Sequence, residues 1–464
     1  MYQVPQHIDK NKIFIVQRSE IEGRLDPKMA LYNRKAQSSL YPKVRLKDLI
    51  VCKPQYGAGE PGIERKNVSD ARYIRITDID ENGLISQDDL GATANYIEDK
   101  YILNENDILI ARSGNTVGKA YIHKSAPYDC FFAGYLIRFI IDKQKALPEY
   151  IFTFTQLKTY KDWVKAVQRP SGQPNINSEE YQSLEIPLPD IDKQQVIVDI
   201  INSAYLQKKK KESEAQQILD SIDAYILNEL GVTLPEIKTD LKSRMFLVNR
   251  SEMEERLDPT VYKDGTKLIS SLFENVKLSH VAFVNPEGAY KGKSIGTSIS
   301  FIPMEVIDEV YSEISSHGET TIADSSGFTK FKEGDLLWAK ITPCMQNGKS
   351  AIARDLTNGL GCGSTEFFVL RPKDERLSVE YLHVILHMKC VRETAMLYFG
   401  GSAGQQRVSS SFLENFNLPL PTLAKQQEIA NHIYAIRQQA KQLQREGKSI
   451  LENAKKEVEQ MIIG

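Results

Sequence analysis

The stretch Ile186–Ile197, which reads IPLPDIDKQQVI, returns as LPLPTLAKQQEI at Leu418–Ile429, 232 residues further along the chain. The segment FIVQRSEIEGRLDP at residues 14–27 returns with the same offset as FLVNRSEMEERLDP at residues 246–259. A repeat at one fixed offset indicates a duplicated structural unit. Since 464 residues are too many for one ordinary core, we expect two copies of one module.

A long amphipathic helix is predicted after each Pro-x-Pro element, because proline fixes an extended approach and a heptad pattern follows it. The seam residues are Ile197, Ile201, Ala204, Ile218 and Ile222 in the first helix, with Lys208 and Lys211 at its centre, and Ile429, Ile433, Ile436, Leu443 and Ile450 in the second. We expect helices of roughly 57 Å, from about Lys193 to Leu230 and from about Lys425 to Ile463. Neither is stable alone, so the two should pair antiparallel.

The parts between the helices alternate short runs of β-branched and aromatic residues with Gly, Asn and Asp turns. The runs ARYIRITDI, DILIAR and AGYLIRFII predict strands, and EYIFTFTQLKTYKDWVKAV predicts a helix. The expected fold class is α+β, with two mixed, strand-rich modules separated by two long antiparallel helices in a pseudo-twofold dumbbell. We place the modules at 1–189 and 236–421, and the helices at 190–235 and 422–464.

In each copy a strand leads into a polar, glycine-containing loop flanked by cations, and a second polar loop follows. Arg, Lys, Asn and Gln suit guanine and adenine edges, while Ser and Thr suit phosphates. The candidates for DNA contact in the first copy are Arg75, Arg112, Ser113, Asn115, Thr116, Lys119, Arg169, Ser171, Gln173 and Asn175. Those in the second copy are Lys340, Thr342, Gln346, Asn347, Lys349, Ser402, Gln405, Gln406 and Arg407. The alternative is that these loops are solvated turns.

Three other motifs resemble functional sites but have simpler interpretations. GNTVGKA at residues 114–120 lacks the spacing of a phosphate-binding P-loop. The carboxylates of PDIDK, residues 189–193, are better explained as a helix cap, since acids favour a helix N-terminus. His383, His387 and Cys390 have metal-ligand spacing, but the first copy has neither His nor Cys at the aligned positions, which favours packing. We expect no catalytic site and no metal in this chain.

Composition places the chain among globular proteins, with 41% hydrophobic and 26% charged residues. Five scattered cysteines without a Cys-x-x-Cys pair argue against a disulfide framework and a thiolate zinc site. The formal net charge of −2 means that any cations that bind nucleic acid must be gathered locally. Without a signal-like or membrane-length apolar run, we expect a cytoplasmic protein that does not enter the membrane.

The repeated order of a polar loop, an Ile/Leu-Pro-Leu-Pro element, Lys-Gln-Gln and a long helix, at Pro187 and again at Pro419, closely resembles the specificity (S) subunit of type I restriction-modification systems. The strand and loop DILIARSGNTVGK look like that family's target-recognition domain. The second copy has TPCMQNGK where the first has SGNTVGK, so base-reading roles do not transfer between the copies.

The resemblance implies two target-recognition domains, each reading one half of a bipartite site in double-stranded DNA, and no catalysis by this chain. It also implies two modification (methyltransferase) subunits and restriction subunits as partners. S-adenosylmethionine, ATP and magnesium would belong to those partners, with no cofactor here. Two alternatives remain at this point: a coiled-coil scaffold that binds only proteins, and a stand-alone methyltransferase or nuclease.

Overall fold

The computed structural model describes residues 27–35, 39–85, 90–168, 174–234, 259–265, 267–401 and 405–464, with residues 9, 15, 247 and 248. The repeated segments at 14–27 and 246–259 therefore lie almost wholly outside the described residues. The chain divides into two compact units. Unit 1 consists of residues 1–210 and 446–464, and unit 2 consists of residues 211–445.

Unit 1 is a strand-rich module whose described strands form three sheets. Its helices are α1 (Pro27–Lys35), α2 (Pro148–Gln156), α3 (Lys158–Val167), α4 (Ser178–Gln182) and the first part of α5 (Ile191–Glu229). Its strands are β1 (Lys43–Arg45), β2 (Gln55–Tyr56), β3 (Ile63–Glu64), β4 (Arg72–Ile74), β5 (Ala92–Thr93), β6 (Ile108–Ala111), β7 (Ala120–Ile122), β8 (Cys130–Phe132), β9 (Leu136–Phe139) and β10 (Glu185–Pro187). Strands pair in the orders β2-β9-β6-β7, β3-β5-β4-β8 and β1-β10. Within these sheets β4 and β8 run parallel.

Unit 2 repeats this organisation. Its helices are the second part of α5, α6 (Pro259–Asp264), α7 (Leu278–Val281), α8 (Val379–His387), α9 (Lys389–Met396), α10 (Ser410–Asn415) and the first part of α11 (Leu423–Ile463). The second part of α11 belongs to unit 1. Its strands are β11 (Glu274–Lys277), β12 (Ala282–Val284), β13 (Ser298–Ile302), β14 (Gly318–Thr321), β15 (Thr329–Lys332), β16 (Leu336–Ala339), β17 (Ser350–Ile352), β18 (Leu360–Gly363), β19 (Phe367–Pro372), β20 (Phe399–Gly400), β21 (Arg407–Val408) and β22 (Asn417–Leu420). The order β12-β19-β16-β17 matches β2-β9-β6-β7, and β13 and β18 run parallel as β4 and β8 do. The predicted α+β class is confirmed.

The prediction of a single helix over EYIFTFTQLKTYKDWVKAV is wrong in one respect. The structure has two helices there, α2 and α3, with a break at Leu157. Leu157 has extended backbone angles, φ −79° and ψ 159°, and its side chain is buried. The break redirects α3 so that Tyr160 and Trp163 enter the core of unit 1. Unit 2 has the equivalent break at Met388, between α8 and α9.

The two long helices form as expected, and their pairing within each unit is antiparallel. In unit 1 the start of α5 shares a core with the end of α11, as shown by Ile197 beside Val458 and Ile462 in one cluster. In unit 2 the end of α5 shares a core with the start of α11, which brings Ile226 and Ile433 into one cluster. No described helix is both long and apolar enough to span a bilayer.

The buried faces of the long helices coincide with the predicted seam positions at the helix starts and lie about one residue further along at several later positions. Ile197, Ile201, Ala204, Ile429 and Ile433 are buried. Ile218, Ile222, Ile436, Leu443 and Ile450 are only half-buried, while Ile226, Leu451 and Val458 are buried instead. A straight α-helix drifts by roughly 20° per heptad from a 3.5-residue repeat, which over several heptads moves the buried face by about one residue.

The repeated Lys-Gln-Gln motif has a structural explanation. Gln194 Nε2 donates to the carbonyl of Pro189 at 2.9 Å, and its Oε1 accepts from Leu147 N at 2.8 Å. Gln426 repeats this in unit 2, between the carbonyl of Pro421 at 2.8 Å and Ser378 N at 2.8 Å. Each glutamine is fully buried and fixes the entry of a long helix against the start of α2 or α8.

The carboxylate of Asp190 caps α5, as predicted for the PDIDK motif. Asp190 Oδ1 accepts from Lys193 N at 2.8 Å, three residues further on, which is the hydrogen bond of an N-cap residue. The helix-cap interpretation of this motif is therefore confirmed.

Candidate nucleic-acid interface

The two polar loops of unit 1 lie side by side. Strand β6 ends at Ala111, and Ser113 just beyond it forms an antiparallel bridge with Asn175. Ile176 N donates to the carbonyl of Arg112 at 2.9 Å. Residues 112–119 and 174–176, separated by more than fifty positions in sequence, thus form one surface, here called loop pair 1.

The same backbone pairing recurs in unit 2. Ile341 forms an antiparallel bridge with Arg407, and Val408 N donates to the carbonyl of Lys340 at 2.9 Å. We call residues 340–349 and 405–408 loop pair 2. The matching hydrogen bonds make Asn175 and Arg407 equivalent positions on the two loop pairs.

A third chain segment completes each loop pair. Arg112 N donates to the carbonyl of Tyr135 at 2.9 Å, and Lys340 N donates to that of Glu366 at 2.9 Å. Tyr135 and Glu366 are therefore equivalent as well. Sequence reasoning missed both residues, because only the strand register brings this segment beside the loops.

In loop pair 1 an arginine lies over an aromatic ring. The guanidinium carbon of Arg112 is 5.0 Å from the ring centroid of Tyr56, within the usual range of a cation–π contact. The Tyr56 hydroxyl is held by Ser178, donating to Oγ at 3.2 Å and accepting from N at 3.1 Å. Tyr135 is 63% exposed beside them. Loop pair 1 thus offers a cation and accessible aromatic rings.

Loop pair 2 carries an ion pair in the equivalent place. Arg407 Nη2 and Nε contact the carboxylate of Glu366 at 2.7 Å and 2.9 Å, with side chains 42% and 21% exposed. The hydrogen bonds from Arg407, opposed by partial burial, hold the pKa of Glu366 below its ordinary value. Lys340 lies nearby, with its Nζ 5.5 Å from the ring centroid of Phe368.

Two predicted DNA-contacting lysines also hold the loops in place. Lys119 Nζ donates to the carbonyl of Ile79 at 2.7 Å, and Lys349 Nζ donates to that of Met304 at 3.2 Å. The residues before them, Gly118 and Gly348, have φ of +86° and +87°, a conformation that glycine adopts without strain. The lysines therefore position the loops, and their contact with DNA stays a prediction.

The other predicted residues either lie on the two loop pairs or form hydrogen bonds or ion pairs with neighbouring side chains. Arg75 is paired with Asp78 at 2.7 Å, and Asn347 Nδ2 donates to Glu309 Oε2 at 3.2 Å. Asn115 and Gln405 are exposed, and Ser113, Thr116, Thr342, Gln346 and Gln406 are half-buried on the loops. The predictions for Arg169, Ser171, Gln173 and Ser402 lie outside the described residues.

The His383, His387 and Cys390 cluster is packed into unit 2. His383 Nε2 and Ser350 Oγ are 3.1 Å apart, and His387 Nε2 lies 3.2 Å from the carbonyl oxygen of Glu309. Burial, reinforced by the positive charge of Arg437, lowers the pKa of His383 to about 3. Among the described residues, no group of three or more His, Cys, Asp or Glu side chains could hold a metal ion.

Comparison with known proteins finds one family. The model of the type I restriction modification DNA specificity domain matches residues 41–237 and 274–452. The type I restriction enzyme EcoEI specificity subunit of Escherichia coli is 36% identical over 164 residues, which are 34% of this chain but only 26% of that subunit. The MjaVIII specificity subunit of Methanocaldococcus jannaschii is 21% identical over 374 residues, 78% of this chain and 79% of that subunit.

A solved structure has the same fold. It comes from work on the complex assembly and conformational transition of the type I R-M system. The match has a TM-score of 0.51 at 15% identity. The match covers 90% of this chain and 95% of that one.

Proposed function

Because the chain belongs to the family of type I restriction modification DNA specificity domains, we propose that it recognises a bipartite site in double-stranded DNA, one half with each unit. Loop pair 1 contacts one half-site and loop pair 2 contacts the other. The protein-only scaffold finds no support, since the matching family model is a DNA specificity domain.

One observation carries this proposal: the two loop pairs share their backbone pairing but differ in side chains. Asn175 in unit 1 occupies the position of Arg407 in unit 2, and Tyr135 occupies that of Glu366. Side chains that contact base edges specify the sequence, whereas contacts with phosphates position the protein on the duplex. The backbone pairing that both units share, here called the frame, holds the two sets of side chains in the same way. A constant frame with different side chains is what two readers of different half-sites require.

The catalytic steps belong to partner proteins in this proposal. Two modification subunits would bring S-adenosylmethionine and methylate DNA, and restriction subunits would bring ATP and magnesium. The relatives named above are specificity subunits, which supports a recognition role. The long helices expose apolar side chains to such partners, including Leu206 on α5, 70% exposed, and Tyr434 on α11, 64% exposed.

Selection from randomised duplex DNA tests the proposal on the full chain assembled with its modification subunits. We expect a site with two specified halves and an unread spacer. Arg112→Gln should weaken selection in one half only, and Lys340→Gln in the other half only. Lys158→Gln, which removes a charge from the exposed surface of α3, is the control and should change neither half.

Selection of no sequence, or of one contiguous site, would overturn the proposal. A loss of selection in both halves with either loop variant would also contradict the assignment of one half-site to each unit.

A further inference from the structure

The Arg407 side chain on loop pair 2 is held from two sides. Nε donates to Glu366 Oε2 at 2.9 Å and Nη2 donates to Oε1 at 2.7 Å, so the carboxylate binds one edge of the guanidinium. Nη1 donates to the carbonyl of Gln405 at 3.1 Å. The guanidinium is therefore fixed in orientation although its side chain is 42% exposed.

The hydrogen bonds leave a specific pair of donors available. A guanidinium has five N–H groups, and within the described part of the chain these contacts engage one on each of the three nitrogens. One N–H remains on Nη1 and one on Nη2. Two such terminal donors match the O6 and N7 acceptors that guanine presents in the major groove.

This ion pair is not required by the fold. Unit 1 has Asn175 and Tyr135 at the equivalent positions. In contrast, the ion pair between Arg371 and Asp335, 2.6 Å apart with the carboxylate buried, recurs in unit 1 as Arg138 with Asp107. The duplicated pair belongs to the frame, whereas the pair on loop pair 2 is particular to one unit and lies on its surface.

The neighbouring carboxylate also argues for a base rather than a phosphate. A phosphate at the free edge of Arg407 would lie close to the negative charge of Glu366, which offsets part of the attraction. Guanine O6 and N7 carry no net charge and meet no such repulsion. A guanidinium already held in one orientation also loses less conformational entropy when it binds.

We propose that unit 2 reads a guanine in the major groove with Arg407. Glu366 is the positioning residue, which holds the guanidinium so that its terminal Nη1 and Nη2 groups face the base. The inference rests on the proposed function and names the base that one half-site must contain.

Competition binding tests this with the full chain assembled with its modification subunits. The selected duplex is compared with duplexes in which each guanine of the half-site assigned to unit 2 is replaced in turn. The wild type should prefer guanine at one position by roughly 10- to 100-fold. Arg407→Ala and Arg407→Lys should both abolish that preference, since lysine keeps the charge but lacks the paired donors.

Glu366→Gln tests the positioning role. The variant keeps the size of the side chain but replaces the two-point carboxylate contact with at most one hydrogen bond to the guanidinium, so the preference for guanine should fall several-fold, while the ratios at all other positions stay unchanged. Arg376→Ala is the matched control, because Arg376 forms a similar exposed ion pair with Asp374 in the same unit but away from the loops. It removes the same charge and should leave every base preference intact.

The outcomes distinguish this inference from the proposed function. If the wild type selects a bipartite site but Arg407→Ala lowers the affinity for all bases equally, Arg407 contacts a phosphate and the inference is wrong. A unit 2 half-site without guanine would overturn it as well. Selection of no sequence at all would overturn the proposed function and this inference together.

Discussion

At the scale of single residues, the candidate interface depends on side chains that have two roles. The sequence predicts Lys119 and Lys349 as cations that flank a polar loop, and each donates to a backbone carbonyl of a neighbouring turn. The guanidinium groups of Arg112 and Arg407 each lie against a residue from another segment, Tyr56 or Glu366. The composition of the loops was therefore predictable, but the partners that orient their side chains were not.

The reason lies in the distance along the chain. Glu366 precedes Arg407 by 41 residues, and Arg112 follows Tyr56 by more than fifty residues. Neither pair has a periodic or local signal, since both depend on which strands become neighbours. The duplication does carry a signal, because His383 and the PDIDK carboxylates have no counterparts in the other copy, which favours packing and capping roles for them.

Burial of His383 predicts a pH-dependent stability of unit 2. Its pKa in the folded chain is lowered from the ordinary value of 6.5 to about 3, so the fold favours the neutral ring. The stabilisation is complete above pH 6.5 and is lost as the pH falls towards 3, because the unfolded chain gains a proton that the folded chain does not. At pH 5 this single group should lower the free energy of unfolding by about 2 kcal/mol.

The measurement is urea unfolding of the full chain at pH 7 and pH 5, for the wild type and for His383→Phe. Phenylalanine is the residue of the aligned position in unit 1, Phe152, and Ser350 Oγ retains the carbonyl of Gly348 as a partner at 3.2 Å. The variant should lose less stability on acidification than the wild type. The exposed His280→Phe is the control, and an identical pH dependence in the wild type and His383→Phe would contradict the prediction.

At the scale of elements, the long helices are the most predictable part of the chain. The residues that form their buried face are predicted less exactly. Proline and an apolar repeat predict both helix starts within about two residues of those observed, and the carboxylate of Asp190 marks the first start in addition. The buried face then drifted by one position, from Ile450 to Leu451, since the helices follow 3.6 rather than 3.5 residues per turn. The break between α2 and α3 had no sequence signal, because Leu157 suits a helix as well as a bend.

Close packing of the helices in unit 1 predicts a size limit at Gly447. A Cβ atom there would lie 3.3 Å from the carbonyl oxygen of Lys208 on α5, so the larger side chain of Gly447→Leu would force the helices apart. We expect a loss of roughly 1–3 kcal/mol in the free energy of unfolding of the full chain. Ser449→Leu, at an exposed position two residues on, should cost little. Equal stability of the two variants in urea unfolding would show that the helices are not tightly packed at Gly447.

At the scale of the whole molecule, duplication joins two modules of one organisation in one chain. The frame repeats in detail, including buried Gln194 and Gln426 at the helix starts and the Asp107 and Asp335 ion pairs within the sheets. The loop pairs repeat only in their backbone. The family match over residues 41–237 and 274–452 covers both copies. In the proposed function, the side chains of the two loop pairs differ while the backbone pairing is the same.

Replacement of one module tests this division most directly. Residues 1–187 are exchanged for the corresponding module of a related specificity subunit, and the methylated sequence is read from the DNA of cells that also carry the modification subunits. We predict that one half of the methylated site changes to the sequence of the donor module while the other half stays the same. A contiguous site, an unchanged site or a change in both halves would contradict the assignment of one half-site to each unit.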